Sequence, residues 1–474
     1  MRKIQLLILQ TVIFCLADVC YYAPPSNLGH AAESLTTVST VSDTKALGFT
    51  NNQRLLIDAG GTEYFAVRTR DCGSPCRNQF NIALFQSVPG GYDRIWLGDE
   101  NVSHRPQRAG SIALVGSEVH TVWYGGQETY PQPTSHQIQF ARVQAGTPMS
   151  ILESSTPFYV TGYEFVYGSP SNNDLWQEHP SAVADASGNL HVVWEARDQY
   201  CLDHSTGNPV PGIAYAMRTA PTGSWSVSGN LDTPPYLLPG VCRSTSRPIP
   251  LVDSGATLHV IANGSVAGAT GSRVLYGSLS SGTFSGWTQV APSADSVNQK
   301  NVSAVIDSAG TIQVAWREGP HPLLTNCPCE VVIKYSSRDP SSGVWLAPVV
   351  ISDSAHYSST PSIAVNGSTV QVAYVGWVPG TTNRDGVVDN NYPNDTAAVE
   401  GSLYVADNSA GGWVEHNVEA ADSVSAYPTW KTDSNQLLWT SASTDDTSRC
   451  ADSTTQATDC VRLNRGAYVA GTIQ

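Results

Sequence analysis

The sequence repeats one short unit seven times, and this repeat restricts the fold more than any other feature of the chain. The four clearest copies are SAVADASGNLHVVW (181–194), PIPLVDSGATLHVIA (248–262), SAVIDSAGTIQVAW (303–316) and PSIAVNGSTVQVAY (361–374). Weaker copies cover 54–67, 111–123 and 427–439. Every copy ends on an apolar anchor residue: Val67, Trp123, Trp194, Ala262, Trp316, Tyr374 and Trp439. The repeated unit keeps its length, so the connections between units account for the variable spacing.

Each copy is typical of a β-hairpin. Its first half is apolar or alternating, a turn containing Gly, Asn or Ser follows, and a β-branched run leads to the anchor. Two more strand-like segments come next, such as GIAYAMRT and GSWSVSG after the third copy. Four strands per unit, A to D, repeated seven times predict an all-β protein with the fold of a seven-bladed β-propeller. A pair of β-sandwiches is the main alternative, but it gives no reason for seven copies.

The ends of the chain favour a closed ring. The seventh unit shows strands A, B and C, and no fourth strand follows in the sequence. The segment SLTTVSTVSD at 34–43 resembles the fourth strands of other units. We expect an N-terminal strand from this segment to complete the last blade, so that no sheet edge stays open there. The predicted organisation is a signal peptide with a short N-terminal segment at 1–32, and a single propeller domain at 33–474.

The first residues have the features of a secretory signal peptide. Arg2 and Lys3 precede an apolar run from Ile4 to Ala17, which is short for a membrane span of about 20 residues. We expect cleavage between Ala17 and Ala32 and an extracellular or periplasmic protein. No later stretch is apolar enough to cross a membrane, so the mature protein should have no membrane span.

The composition agrees with an exported, turn-rich β-protein. Charged residues make up 14% of the chain, whereas soluble proteins average about 25%. Loss of the signal changes the net charge from −15 to −16, because Arg2, Lys3 and Asp18 leave with it. An acidic protein of this kind is not expected to bind nucleic acid. We expect a monomer.

Eight cysteines remain after the signal, and an even number in an exported chain favours disulfides over metal binding. They are Cys72, Cys76, Cys201, Cys242, Cys327, Cys329, Cys450 and Cys460. Spacing suggests that each cysteine pairs with its neighbour in the sequence. A bridge between Cys327 and Cys329 would be strained, so the connectivity stays open.

Charged residues cluster where the longest predicted loops leave the blades. In a four-stranded blade the B–C and D–A loops share one face, and the B–C loops are the long ones here. The candidate ligand-binding residues are Arg68, Arg70, Asp71, Glu195, Arg197, Asp198, Arg317 and Glu318, with Arg384 and Asp385 in the sixth loop. A ligand at this mouth could meet Arg groups that suit anions and carboxylates that suit sugar hydroxyls. The alternative is that neighbouring Arg and Glu residues simply pair with each other on a solvated rim.

Four carboxylates are candidates for a catalytic pair, because two carboxyl groups can cleave a glycosidic bond between them. They are Glu195, Asp198, Glu318 and Asp385. The sequence contains no cofactor motif, and calcium is the one metal that a spacing suggests. Asn383, Asp385 and Asp389 resemble the middle of a calcium loop that lacks its bidentate Glu, although an ordinary turn rich in Asn and Asp has the same pattern.

The polar residue three positions before the anchor is a histidine in three units. These are His120, His191 and His259. Equivalent positions in successive blades lie far apart, so a shared metal is not expected. We expect the three histidines to pack as polar residues between blades.

The units SAVADASGNLHVVWEAR and SAVIDSAGTIQVAWREG resemble blades of the sialidase-like, BNR-repeat propeller group, over about 36–474. Members of that group include sialidases, other glycosidases, polysaccharide lyases and lectins. The resemblance therefore implies an exported protein that acts on or binds glycans. The chain departs from the group because it has no complete Asp-box, Ser-x-Asp-x-Gly-x-Thr-Trp, and no Arg-Ile-Pro signature. No Tyr and Glu nucleophile pair can be carried over.

Three functions agree with these features. The favoured one is a secreted propeller that binds extracellular carbohydrate or another anionic ligand at the B–C loop face. The second is a sialidase-like glycoside hydrolase or a polysaccharide lyase. The third is a non-catalytic scaffold for protein–protein interaction, which an exposed patch of Tyr130, Trp377 and Tyr392 would favour.

Overall fold

A computed structural model confirms the predicted all-β, seven-bladed propeller, since the chain forms seven antiparallel sheets. It describes residues 36–41, 47, 53–70, 80–97, 108–125, 137–153, 158–159, 176–202, 209–220, 222–223, 225, 246–266, 271–292, 297–320, 331–377, 401–419, 426–442, 461–469 and 471–473. These residues belong to one compact unit, Leu35–Gln474. The predicted signal segment, 1–32, lies outside them. Over the described ranges, no helix has the length and hydrophobicity to cross a membrane.

Each of the first four blades is an antiparallel sheet whose strands follow one another in chain order. Blade 1 contains Leu55–Ile57, Glu63–Arg70, Phe80–Val88 and Gly91–Trp96. Blade 2 contains Arg108–Val115, Glu118–Gly125 and Gln137–Gln144, with Ser150–Ile151 and Phe158–Tyr159 on its outer side. Blade 3 contains Trp176–Ala184, Leu190–Leu202 and Pro209–Arg218. Blade 4 contains Ser246–Val252, Leu258–Ser265, Ser272–Ser280, Thr283–Phe284 and Thr288–Gln289.

The remaining blades repeat this order. Blade 5 contains Val297–Ile306, Ile312–Pro320, Val332–Arg338 and Val349–Val350. Blade 6 contains Tyr357–Asn366, Thr369–Trp377, Ser402–Asp407 and Val414–Glu419. Blade 7 contains Ala426–Trp430, Gln436–Ala442, Val461–Val469 and the N-terminal strand Thr36–Val41, with Thr472–Ile473 folded back on the third strand. The described part of blade 3 adds a single bridge between Arg218 and Trp225 where other blades have a fourth strand.

The N-terminal strand closes the ring, as predicted. Thr36–Val41 pairs antiparallel with Val461–Val469 and so becomes the outer strand of blade 7. Near this closure Arg465 forms an ion pair with Glu63 of blade 1. The hydroxyl of Tyr92 donates a hydrogen bond of 3.0 Å to the same carboxylate. One shared strand and one ion pair between blades therefore join the two ends of the ring.

The anchor side chains fill the spaces between blades. Trp194 and Trp316 are completely buried. Trp194 packs with Val122 and Phe140 of blade 2, and Trp316 packs with Ile261 of blade 4. Each of these anchors therefore packs against the preceding blade, where its loss would cost about 3 to 5 kcal/mol. This packing explains why the last position of the repeated unit is apolar in every copy and is Trp or Tyr in five of the seven.

The serine that begins several repeats joins the innermost strands of neighbouring blades. Ser111 Oγ accepts a hydrogen bond of 3.1 Å from the backbone N–H of Ala182, and Ser303 Oγ accepts one of 3.2 Å from the N–H of Ile363. The same bond joins blades 6 and 7. These hydroxyls lie where strands A of adjacent blades approach each other, so they replace the backbone pairing that separate sheets cannot make.

An aspartate holds the turn between strands A and B. Asp185 Oδ1 accepts hydrogen bonds from the backbone N–H groups of Ser187 and Asn189, at 2.9 and 2.8 Å. Its Oδ2 lies 3.3 Å from His191 Nε2, and His191 Nδ1 lies 2.9 Å from the hydroxyl of Tyr215 on strand C. The same turn is built around Asp58, Asp253 and Asp307. The aspartate therefore links its turn to strands B and C of the same blade.

The predicted packing histidines are buried, and their hydrogen bonds lie within one blade. His259 contacts Asp253 at 3.3 Å and the hydroxyl of Tyr276 at 3.0 Å. His120 contacts Glu118 at 3.3 Å. Burial lowers the pKa of His191 and His259, and the hydrogen bond that each donates to its neighbouring aspartate offsets only part of this effect.

The double replacement of His191 and His259 by Gln should make stability less dependent on pH. Blade 5 already carries Gln313 at this position, where Nε2 donates to Asp307 at 2.9 Å. A histidine whose folded pKa lies below its unfolded value of about 6.5 stabilises the fold above that pH, and this contribution is lost as pH falls through the folded pKa. Urea unfolding should show equal stability at about pH 8 and a smaller loss for the variant between about pH 7 and 5. Equal losses for both proteins would contradict this explanation.

Candidate functional site

Strand B of blade 3 continues well beyond its anchor. After Trp194 the strand runs on to Leu202, which pairs with Pro209 of strand C. The segment that begins at Glu195 was expected to be a loop, and this expectation is wrong. Its backbone stays hydrogen-bonded to the returning strand, so the polar residues extend a long hairpin from the blade.

The structure describes four of the predicted ligand-binding side chains, and most of them are buried. Arg68, Glu195 and Arg317 occupy the same position, directly after the anchor, in blades 1, 3 and 5. Arg68 is half-buried, whereas Glu195 and Arg317 are only 5% and 2% exposed. The fourth, Glu318, is also buried. These side chains are therefore buried or half-buried rather than exposed on the solvated loops where we expected them.

Other predicted site residues lie outside the described part of the molecule. This applies to Asp71, Asn383, Arg384, Asp385 and Asp389, to the side chains of Arg70, Arg197, Asp198 and Cys201, and to the other seven candidate disulfide cysteines. The calcium loop and the disulfides therefore stay predictions.

Glu318 is held by three donors within blade 5. Its Oε2 accepts hydrogen bonds from Gln299 Nε2 at 3.0 Å and Trp316 Nε1 at 3.4 Å. Its Oε1 lies 2.5 Å from Lys334 Nζ. These partners supply the hydrogen bonds that a buried carboxylate needs. These contacts favour a structural role for Glu318 and agree with the alternative that rim charges pair with each other.

Strand A bends at the same step in four consecutive blades. At this step one residue has a φ angle of 51°, in the left-handed region, and the pairing with strand B is interrupted. The residues are His179, Arg247, Asn301 and Thr360 in blades 3, 4, 5 and 6. We call these four residues the bulge row. Such a backbone angle costs about 1 to 3 kcal/mol for a residue other than glycine.

The bulge row lies at one mouth of the central channel. Two residues further along each strand A, the chain lines a cavity of about 120 Å³ that the innermost strands enclose. The lining residues at this level are Ser181, Ile249, Ser303 and Ser362. Strand A begins where the antiparallel strand B ends, so the bulge row lies at the end from which the B–C loops leave. The mouth of the channel and the predicted binding face are therefore on the same side.

Polar contacts connect the bulge row across blade boundaries. Arg247 Nη1 donates a hydrogen bond of 2.7 Å to Asn301 Oδ1. Asn301 Nδ2 donates one of 3.3 Å to Ser359 Oγ, in the residue that precedes Thr360. Thr360 itself is 2% exposed, and its Oγ1 has no hydrogen-bond partner among the residues that the structure describes. A guanidinium, an amide and hydroxyls from blades 4, 5 and 6 are thus close neighbours.

A buried His–Glu pair forms the blade 3 part of this mouth. His179 Nδ1 lies 2.9 Å from Glu195 Oε2, and both residues are buried. The imidazole also lies edge-on to Tyr124 of blade 2, with ring centroids 5.4 Å apart. A carboxylate at Nδ1 fixes the orientation and tautomer of a histidine, which is how acid–base histidines are commonly positioned. Glu195, a candidate predicted from the sequence, therefore contacts a member of the bulge row.

Sequence reasoning missed the bulge row, although a signal was present. His179, Arg247 and Thr360 each stand directly before a proline, in the positions just ahead of the repeated unit. Proline removes a backbone donor and restricts the residue before it, so a polar residue followed by proline at the start of a strand marks an interruption of pairing.

The second missed signal is an Asp-box-like turn between strands C and D. In SRDPSSGVW, Asp339 Oδ1 accepts hydrogen bonds from the backbone N–H groups of Ser341 and Ser342, at 3.0 and 2.7 Å. Hydrogen bonds from these two serines lower the pKa of Asp339 to about 2. This turn differs from Ser-x-Asp-x-Gly-x-Thr-Trp by two additional residues before Gly343 and by the absence of the Thr before Trp345.

The aromatic patch that would favour a protein scaffold does not form around Trp377. This side chain is buried and packs against Tyr357, with ring centroids 5.8 Å apart. Tyr130 and Tyr392 lie outside the described residues. Trp377 therefore does not contribute to the exposed aromatic patch that the scaffold hypothesis requires.

Solved structures share this fold, although no protein-family model and no curated protein matches the sequence. The polysaccharide lyase Uly1 has a TM-score of 0.51 at 9% identity, over 89% of this chain and 90% of that one. An ulvan lyase bound to -[GlcA(1-4)Rha3S]- has a TM-score of 0.49 at 11% identity, over 92% and 97%. A mutant of Trypanosoma rangeli sialidase displaying trans-sialidase activity has a TM-score of 0.43 at 12% identity, over 73% of this chain.

These comparisons concern the fold. The chain covers 56% of the sialidase mutant, little more than half of its length, and nearly the whole of Uly1. The expected likeness to the sialidase-like propeller group is confirmed at the level of the fold. Sequence identities of 9 to 12% do not allow an active site to be assigned to this chain from these proteins. Its function depends on the residues at the mouth of its own channel.

Replacing Glu195 by Ala should destabilise the protein by about 1 to 3 kcal/mol, because it removes a buried hydrogen-bond partner of His179. Glu195→Gln keeps an acceptor in place and should cost less. Glu178→Gln is the matched control, since its carboxylate lies 4.0 Å from the same histidine nitrogen. Urea unfolding measures all three changes, and equal effects of Glu195→Ala and Glu178→Gln would contradict the assigned pair.

Proposed function

We propose that this chain is an exported β-propeller that binds extracellular carbohydrate or another anionic ligand at the face that carries the bulge row and the B–C loops. The observation that carries the proposal is the convergence of polar side chains from blades 3 to 6 at the mouth of the channel. Arg247, Asn301 and the His179–Glu195 pair supply both donors and acceptors there. Sugar hydroxyls need both kinds of group, and a guanidinium suits an acidic substituent.

The net charge of the whole chain favours selective binding of an anionic ligand over a general attraction to polyanions. With a net charge of −15, the protein does not attract polyanions through its overall field. An anionic ligand must then be bound by local cations, and Arg68 and Arg247 are both half-buried on the mouth side of their blades. The likeness in fold to the polysaccharide lyase Uly1 adds support for a carbohydrate ligand.

Replacing Arg68 and Arg197 by Gln, singly and together, tests the proposed face. Each change should weaken binding of sialylated, sulfated or uronic-acid glycans by about tenfold, because one charge-assisted hydrogen bond contributes about 1.5 kcal/mol or more. A glycan array followed by titration calorimetry measures the loss. Arg317 is unsuitable for this test, since a buried arginine is needed for folding as well.

The matched control for that experiment is Arg94→Gln. Arg94 is an exposed cation on the outer strand of blade 1, 4.7 Å from the ring of Trp96 and away from the channel. Its loss should leave glycan binding unchanged. Binding that survives the Arg68 and Arg197 changes, or that falls equally with Arg94→Gln, would argue against the proposed face.

A second candidate function is cleavage of the bound glycan, and the His179–Glu195 pair is the observation that favours it. A carboxylate-oriented imidazole can move a proton to or from a substrate oxygen or carbon. Elimination would leave a carbon–carbon double bond conjugated with a uronic carboxylate, whereas hydrolysis would leave a saturated product. The other candidates for a carboxylate pair, Asp198 and Asp385, have no described side chains, and Glu318 is occupied by its own donors.

His179→Gln distinguishes an enzyme from a binding protein. If the chain is an enzyme, this change should lower turnover about 100- to 10,000-fold while glycan binding persists. Ultraviolet absorbance and mass of the products report elimination and hydrolysis separately. Glu178→Gln should keep full turnover, and the absence of turnover by the wild type on every glycan that it binds would leave binding as the function.

A further inference from the structure

The bulge row carries polar side chains at a backbone angle that glycine adopts with the least strain. Gly188 and Gly310, with φ angles of 80° and 84°, occupy such positions in the A–B turns of blades 3 and 5. The bulge row has a φ angle of 51° at every member, yet none of its four residues is glycine. Thr360 is the extreme case, because positive φ is rare for a β-branched residue.

Contacts within the fold account for three members of the bulge row but not for the fourth. His179 has Glu195, and Arg247 and Asn301 have each other. The hydroxyl of Thr360 is buried without a hydrogen-bond partner among the described residues. The strained backbone of Thr360 and its unsatisfied hydroxyl each lower the free energy of unfolding, and glycine would remove both penalties. The side chain must therefore serve something other than the stability of the propeller.

We propose that Thr360, Asn301 and Arg247 form a subsite for the carboxylate group of an acidic sugar at the mouth of the channel. This inference rests on the proposed function and assigns the acidic end of its ligand. Asn301 accepts a hydrogen bond from Arg247 and donates one to Ser359, so its amide links the guanidinium to the residue that precedes Thr360. The Thr360 hydroxyl then donates to a ligand oxygen, and the ligand satisfies a group that the fold leaves unsatisfied.

Two substitutions of Thr360 separate a ligand-binding role from a structural one. Thr360→Val keeps the shape and removes only the hydroxyl, so the melting temperature should stay the same or rise while affinity for an acidic sugar falls about tenfold. Thr360→Gly should raise the melting temperature further and also lose affinity. A clear drop in the melting temperature of Thr360→Val would show a structural partner for the hydroxyl and would overturn the proposal.

Ser281→Gly is the matched control for strain. Ser281 has a φ angle of 49° and lies exposed in the C–D turn of blade 4, at the opposite end of the blade from the bulge row. The change should raise the melting temperature and leave affinity unchanged. If Ser281→Gly lowered affinity as much as Thr360→Gly, the effect would come from general relaxation of the fold, and the subsite would be wrong.

A direct binding experiment uses sodium glucuronate, glucose and inorganic sulfate as ligands. Titration calorimetry measures the affinity of the wild type, Thr360→Val and Arg247→Gln for each of them. Tighter binding of glucuronate than of glucose or sulfate, lost in both variants, supports the subsite even if no glycan on the array binds. Equal binding of sulfate and glucuronate, or no binding of glucuronate by the wild type, overturns it. Array binding that Thr360→Val leaves unchanged also overturns it, while the proposed function stands.

Discussion

The packing of an anchor side chain between each blade and the blade before it is the interaction on which the rest of this structure depends. Trp194 and Trp316 have almost all of their contacts inside these interfaces, so no blade can bury its apolar faces alone. The sheets must therefore form a complete ring. Closure follows from the same requirement, because the N-terminal strand covers the outer edge of the third strand of blade 7.

Close packing of blades also decides what lies on the axis. Strands A of neighbouring blades lie close enough for serine hydroxyls such as those of Ser111 and Ser303 to connect them. Towards the mouth the pairing of strand A with strand B is interrupted, and the bulge row lies at this interruption in blades 3 to 6. The step at which the bulge occurs is therefore shared by these blades, whereas the residue at that step differs from blade to blade.

The fold could be predicted because its signal is local and repeated. Alternation, a turn and an anchor occur within about fourteen residues, and seven copies of such a unit define a propeller. The site could not be predicted in the same way. Arg247, Asn301 and Thr360 are more than fifty residues apart in the sequence, and the left-handed φ angle leaves only a weak local signal, the proline that follows Arg247 and Thr360. Strand continuation past Trp194 was hidden as well, because its polar residues were typical of a loop.

Glu195 and Glu318 are both buried, and their partners decide which of them is available for a ligand. Glu318 has Gln299, Trp316 and Lys334 around it, so removing it would leave a half-buried lysine without its carboxylate partner. Glu195 differs, because its carboxylate contacts His179, which belongs to the bulge row at the mouth of the channel. Glu195 is the first residue after the tryptophan anchor of its repeat, and Glu318 is the second after its own. Their roles diverge because strand A presents His179 to one carboxylate and strand C presents Lys334 to the other, so the partner strand rather than the motif decides which charge can take part in chemistry.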